Sequence, residues 1–184
     1  ELTERDLAVA SRQHFLRAHE LDGRELAPLV MLYQIDTVYF PGMPDAPDWL
    51  GKLEALVGER RLQSSDRTAL GALVNFALSP SGEAERERVM SLFESMSVAY
   101  AGNRGIFSLY YKMLRAEEEL RKPELVALLQ EQASLYPGRT EIYALLVQEH
   151  NLQNKAGTFE AIRAWMEHDE PRRELSVIRG VFEQ

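Results

Sequence analysis

The stretch IFSLYYKMLRAEEELRKPELVALLQEQASLYPGRTEIYALLVQEHNLQNKAGTFEAIRAWMEHDEP, residues 106–171, decides how the chain is read. Its apolar residues recur at three- and four-residue steps, the spacing of one helix face. Phe107, Leu109, Tyr110, Met113 and Leu114 mark a helix over Ile106–Arg121. Pro123 can open the next at its first position, where a missing N–H costs nothing. That helix carries Leu125, Val126, Leu128, Leu129 and Leu135 and stops at Pro137-Gly138. Helices over Thr140–Gln153, Thr158–His168 and Pro171–Phe182 complete the chain. Pro137 and Pro171 stand 34 residues apart, and in that frame Ala127 matches Ala161, Leu128 matches Ile162, Leu109 matches Tyr143 and Met113 matches Val147.

Toward the N-terminus the chain also reads as helices. Thr3-Glu4-Arg5-Asp6 reads as a capping box, followed by Leu7, Val9, Ala10, Phe15 and Ala18 at helical spacing up to Asp22-Gly23. A second helix runs over about Arg24–Phe40, with Pro28 in its first turn and Leu29, Leu32, Tyr33 and Asp36 on one stripe. Pro41-Gly42-Met43-Pro44-Asp45-Ala46-Pro47 cannot be helix or central strand. Asp48 then caps a helix with Trp49, Leu50, Leu53, Leu56 and Val57. Ser64-Ser65-Asp66 caps the next, with Leu70, Leu73, Val74 and Leu78 inward, and Ser79-Pro80-Ser81-Gly82 ends it. A charged helix starts at Glu83 and carries Val89, Leu92, Phe93, Met96 and Tyr100. No segment alternates with period two, so an all-α chain of about ten helices is expected.

Helix pairs recurring at 34 residues read as an α-solenoid, in which neighbours stack to bury each pair's uncovered flank. The period resembles that of tetratricopeptide repeats. Ser11-x-x-x-Phe15-x-x-Ala18 before Asp22-Gly23 resembles the second half of such a repeat, with Ser11 and Gly23 where the family has Ala and Pro. Ala161 and Trp165 keep the small/aromatic pair, and His168 replaces the second small residue. The expectation is one degenerate tetratricopeptide-like domain over 1–184: a first helix pair (1–40), an irregular middle (41–100), and repeat-like pairs with a terminal helix (101–184). The alternative is an ordinary helical domain, which fits the middle section better.

The order of blocks, through HFLRAHELDGRELAPLVMLY, LGKLEALVGERRLQSSDRTALGALVNFAL and ALLQEQASLYPGRTEIYALL, resembles a soluble C-terminal region of bacterial membrane proteins of surface-polysaccharide assembly, such as O-antigen polymerases and ligases and lipid-linked glycosyltransferases. That resemblance implies a periplasmic tail for docking or assembly, with the chemistry in membrane segments elsewhere; a cytoplasmic setting is the alternative. The chain opens at Glu1 without an initiator Met, which fits an excised or processed piece of a larger protein or a whole protein with a trimmed start. The 184 residues carry 21 Lys+Arg against 29 Asp+Glu, and a net charge of -8 speaks against nucleic acid and anionic membrane surfaces as partners. No apolar run approaches the roughly 18–20 residues that cross a bilayer, so direct membrane insertion by this chain is not expected. With no Cys, disulfides, thiolate metal sites and Cys nucleophiles are excluded.

No phosphate loop, dinucleotide turn or His-Glu-x-x-His helix occurs. His14 and His19 lie five apart on different helix faces. His150 and His168 are on successive helices, near Glu149. Ser11, His14 and Asp22 lack any fixed geometry for a triad. No catalytic residue, metal or cofactor is therefore expected, and an independent enzyme would need a deep pocket with convergent titratable groups. The pairs Glu117/Arg121 and Glu118/Lys122, and the run Glu83–Arg88, read as solvated faces. The resemblance to tetratricopeptide repeats implies a concave groove lined by Phe107, Tyr110, Leu114, Glu117, Glu141, Gln148 and Asn151. Such a groove suits a peptide segment or another protein's helix; core packing is the competing reading for each Tyr. On the groove reading, changing Tyr110 and Asn151 together abolishes capture and leaves the melting temperature alone. The expected function is a non-catalytic protein-interaction scaffold, the alternative an accessory domain that positions acceptor or glycan for a membrane glycosyltransferase. Leu175, Ile178, Val181 and Phe182 on the terminal helix could cap the stack or pair two copies.

Overall fold

In the computed structural model, residues 3–43, 46–59, 61–151 and 155–168 are described. They form α1 (Glu4–Leu21), α2 (Leu26–Tyr39), α3 (Trp49–Glu59), α4 (Ser64–Ala77), a 3-10 helix (Pro80–Glu85), α5 (Arg86–Ala99), α6 (Arg104–Ala116), α7 (Glu118–Leu135), α8 (Thr140–Asn151) and α9 (Lys155–His168). The all-α expectation holds for the described residues, which include no strand. The tenth helix, expected over Pro171–Phe182, lies outside them. The chain separates into two compact units, Glu1–Ala116 and Glu117–Gln184.

In the first unit α2 packs against α1, α3, α4 and the 3-10 helix. Surrounded this way, it buries more than the expected stripe: Leu26, Leu29, Val30, Leu32, Tyr33, Ile35 and Asp36 are all interior. Period reading sees one face, and a central helix has several. The inward faces of α3, α4 and α5 are those expected, except that Leu56, Leu78 and Tyr100 are half-buried. The Tyr100 hydroxyl donates to the Val57 carbonyl and so joins α5 to α3.

The first helix differs from its sequence reading. Its capping box forms, with Asp6 N–H donating to Thr3 Oγ1 at 3.1 Å and Thr3 N–H donating to Asp6 at 2.9 Å. Its inward residue is Ala8, however, while Leu7 and Val9 are 52% and 41% exposed. Arg12 lies one turn after Ala8 and points at α2, because the charge of Asp36 has to be met there. Arg12 donates to Asp36 from Nε at 2.6 Å and from Nη2 at 3.1 Å. The Trp49 indole at the start of α3 donates to the same carboxylate at 2.8 Å. One buried Asp on α2 thus joins three helices. Its negative charge also raises the Arg12 pKa, chiefly through their hydrogen bond.

Local chemistry moves several boundaries. Asp48 caps α3 as expected, accepting from Gly51 N–H at 3.1 Å. At α4 the cap sits one residue early, at Gln63, whose N–H donates to Asp66 at 2.6 Å. The segment after Pro80 is a 3-10 helix where a longer α5 was expected from Glu83. There, a Cβ on Gly82 would collide with the Phe76 carbonyl and reach 3.0 Å from Ala77 Cα, so only Gly lets the chain pass this close.

In the second unit α8 packs against α7 and α9. Its core is Leu125, Leu128, Leu129, Ile142, Tyr143, Leu146, Val147, Ala161, Ile162 and Trp165. Helix α7 has a break at Arg121 (φ -117°, ψ 22°), which leaves Pro123 in the first turn of the part that follows. The break also overturns one surface assignment. Glu117 and Arg121 pair at 3.3 Å, but Lys122 is buried and pairs at 3.0 Å with Glu149, which is fully buried on α8. Two opposite charges inside one helix pair hold each other, since either alone would be strongly unfavourable.

Asp36→Ala should strip Arg12 and the Trp49 indole of their acceptor and lower stability by about 2–4 kcal/mol in urea denaturation. Gly82→Ala should cost about 1–3 kcal/mol through its backbone collision. Gly58→Ala is the control: the added methyl meets nothing within 4 Å on α3, and helix propensity should make it neutral or stabilising.

Candidate ligand-binding cavity

The residues expected to line a groove do not share one environment. Phe107 and Tyr110 are 7% exposed and Leu114 is fully buried, so all three are interior side chains. Glu117 is half-buried against Arg121. Glu141 is exposed and pairs with Arg139 at 3.3 Å, and Gln148 is exposed on α8. Asn151 ends α8; its side chain lies outside the described residues. Because Tyr110 is interior, truncating it removes core area and must lower the melting temperature. The expectation of an unchanged melting temperature for the Tyr110 and Asn151 double change is corrected on that ground.

What the fold does assemble is a cavity of about 440 Å³ within the first unit. Its volume falls in the roughly 300–1,000 Å³ range of small-ligand sites. Helix α2 supplies Tyr33, Asp36 and Thr37 to its lining; the chain that follows supplies Phe40, Pro41, Gly42 and Met43. Ala46, Pro47, Asp48 and Trp49 lead into α3, while Glu85 and Arg88 come from the 3-10 helix and α5. Pro41, Gly42, Met43, Ala46 and Pro47 therefore form part of the lining between α2 and α3.

The floor is buried and closely hydrogen-bonded, and the rim is exposed. On the floor Asp36 is saturated by Arg12 and the Trp49 indole, and Tyr33 donates to Glu85 Oε2 at 2.7 Å. Burial and that bond to an acidic partner push the Tyr33 phenol well above its ordinary pKa, so at neutral pH it is a hydrogen-bond donor and not a base. At the rim Arg88 bridges two carboxylates, donating to Glu85 Oε2 and to Asp48 Oδ1, each at 3.1 Å. Arg88 and Asp48 are 54% and 66% exposed, so their pair is screened and weak. Glu85 Oε1 and Asp48 Oδ2 accept no hydrogen bond from the described residues. Gly51 makes room for this arrangement: a Cβ there would lie 2.5 Å from Asp48 Oδ2.

The rings are mostly spoken for. Lys52 Nζ sits over Trp49 at 4.5 Å, and His19 meets Trp49 edge-on at 6.2 Å. Phe76 meets Tyr33 edge-on at 6.0 Å, and Arg5 lies 6.0 Å over Phe40. No broad ring face is left open for stacking a flat ligand on Trp49 or Tyr33, which are 4% and 6% exposed.

A second cavity, of about 470 Å³, is lined by Gln63, Ser64, Arg67, Asn103, Arg104 and Ile106 among others. It faces the starts of α4 and α6. Several of their amide donors are already used: Asp66 takes Gln63 N–H, and Asn103 Oδ1 takes Gly105 N–H at 2.9 Å and Ile106 N–H at 3.2 Å. Internal caps of this kind occupy the donors an anion would need.

Among the described residues no group of three or more His, Asp and Glu is placed to hold a metal ion. His14 stands edge-on to Phe15, and His150 packs where a Cβ on Gly157 would reach 2.7 Å from its Nδ1. No described helix is long and apolar enough to cross a membrane. No local pattern in the sequence marks the cavity. Its signals were Asp36 on an apolar stripe, which demanded a buried partner, and the prolines between α2 and α3. Comparison with protein-family models, with curated proteins and with solved structures found no match, and neither resemblance read from the sequence gains a counterpart.

Proposed function

We propose that this chain is a non-catalytic, helical protein-interaction module that takes up a peptide segment of a partner at the cavity between α2, the proline-rich wall and Arg88. The observation that carries the reading is the contrast within that cavity. A floor fixed by the Asp36 bonds lies under a rim whose ion pairs are exposed and cheap to exchange. A site of this build offers shape without large reorganisation and polar groups ready to change partners. The described lining residues include no His, Ser or Cys to serve as a nucleophile with a neighbouring base. Asp36, a carboxylate that acid–base work would use, is occupied on both oxygens.

The architecture supports the same reading. Contacts join sequence neighbours, as in α1 with α2 and α5 with α6, and also alternate helices, as in α2 with α4, α3 with α5, and α4 with α6. Both kinds of contact are what stacked helix pairs make, and stacked pairs present extended surface to partners.

Selection of random displayed peptides against the immobilised chain should yield ligands that slow amide exchange in α3 and the 3-10 helix Pro80–Glu85. Phe40→Ala and Arg88→Ala should weaken those ligands at least tenfold and move the melting temperature by no more than about 3 °C, since both side chains lie at the cavity edge. Ligands that protect other segments, or that bind both variants unchanged, would remove the cavity from the account.

A further inference from the structure

We infer that α1 is a releasable clasp behind the cavity: it opens as a unit while the rest of the first unit stays folded, and the Arg12–Asp36 bond holds it shut. The inference stands on the packing of α1 and does not depend on what the cavity binds.

The apolar hold on α1 is small. An isolated helix of this length is marginal in water, so its stability comes from the face it buries. Over its 18 residues α1 sends one side chain, Ala8, fully into the interior. Phe15, Leu16 and Ala18 are half-buried, and Leu7, Val9 and Leu21 are exposed. Helix α4, with 14 residues, sets Ala69, Leu70, Leu73, Val74 and Ala77 in the core. Segments with few buried apolar side chains are the ones that open below the free energy of global unfolding. The link from α1 to α2, Asp22-Gly23-Arg24-Glu25, is exposed throughout, so α1 can swing about it without moving a buried residue of the link.

What closes the clasp is charge. With α1 seated, Asp36 is buried and takes two donors from Arg12. Without that guanidinium the seated state would leave a buried carboxylate short of donors. With α1 released, water reaches the carboxylate from the side α1 had covered, and the Trp49 indole still donates to it. The Arg12–Asp36 bond therefore bears on the seated state and not on the open one. The other polar contacts of α1 end close by: Arg5 lies 6.0 Å over Phe40, and His19 meets Trp49 edge-on at 6.2 Å. Asp36, Phe40 and Trp49 all line the cavity, and none of its described lining residues belongs to α1. The seating of α1 thus bears on the cavity at three residues. A ligand that favours one seating would shift α1, and a group that captures released α1 would shift the cavity's affinity by the same factor.

Native-state amide exchange of the whole chain, followed by NMR, tests the clasp. The amides of residues 8–18 should share one opening free energy, with protection at least tenfold below that of residues 70–77 in α4. Val74→Ala and Gly82→Ala weaken elements outside the α1–α2 pair. Each should lower protection in α4 at least fivefold and leave that of α1 unchanged, because α1 opens without them. Arg12→Met keeps the stem and removes the charge. It should lower protection of residues 8–18 at least tenfold, and that of α4 by the same factor, since global unfolding also releases α1. It should also move the indole N–H resonance of Trp49, which the exposed control Leu7→Ala should leave in place. Protection rising steadily from Ala8 to Leu21 would mean fraying from the Thr3 end and would overturn the clasp. Equal loss in α1 and α4 on Val74→Ala and Gly82→Ala would overturn it too, by making the unit a single cooperative block. Unchanged exchange in Arg12→Met would overturn the role of the ion pair, and an unmoved Trp49 resonance would overturn the connection with the cavity.

Discussion

The first unit depends on the carboxylate of Asp36. Placing a charge on the most buried helix is costly, and the cost is offset only if several donors converge on it. Arg12 from α1 and the Trp49 indole from α3 do so, at 2.6 to 3.1 Å. Each donor belongs to a different helix, so the bonds specify how α1 and α3 sit against α2 in a way that apolar contacts alone do not. Leu, Val and Ile on α2 have many near-equivalent packings. A bidentate guanidinium and an indole N–H have few.

That fixed arrangement is what leaves a cavity. Trp49 is drawn to Asp36 at the very start of α3, and residues 40–43 with 46–48 line the space beside that contact. Pro41 and Pro47 are part of that lining. Asp48, next to Trp49, is then delivered to the rim, where it folds over Gly51 and meets Arg88. The position of the rim thus follows from the position of the floor.

Much of this was legible in the chain, and the rest was not for identifiable reasons. The helices of residues 48–116 could be placed because their apolar faces are single and their caps, such as Asp48, are explicit. The inward face of α1 was misread because the strongest apolar residues, Leu7 and Val9, are exposed, while the true face runs through Ala8 and Arg12. Hydrophobic spacing gives no weight to an Arg that turns inward to meet a charge. Lys122 was misread for the same reason: its partner Glu149 lies 27 positions away on another helix, whereas the neighbour Glu118 looked sufficient. The groove through Phe107, Tyr110 and Leu114 was a family geometry laid over residues whose apolarity had the plainer meaning of burial. The cavity needed residues from positions 33 to 88 to meet, which no local pattern announces.

The two kinds of ion pair in the first unit differ in what it costs to part them. Asp36 and Arg12 are largely removed from water, so separating them strands a charge, and they stay together. Arg88 and Asp48 are more than half exposed; water can take either partner's place, and separation costs about 1 kcal/mol or less. A ligand that must displace the first kind of pair would be competing with folding itself. One that rearranges the second competes only with solvent. Glu85 stands between the two regimes, half-buried, held from below by Tyr33 and from above by Arg88. Its lower contact keeps the carboxylate in place when the upper one is exchanged. On the proposed reading, a partner binds at the rim without loosening the three-helix junction beneath it.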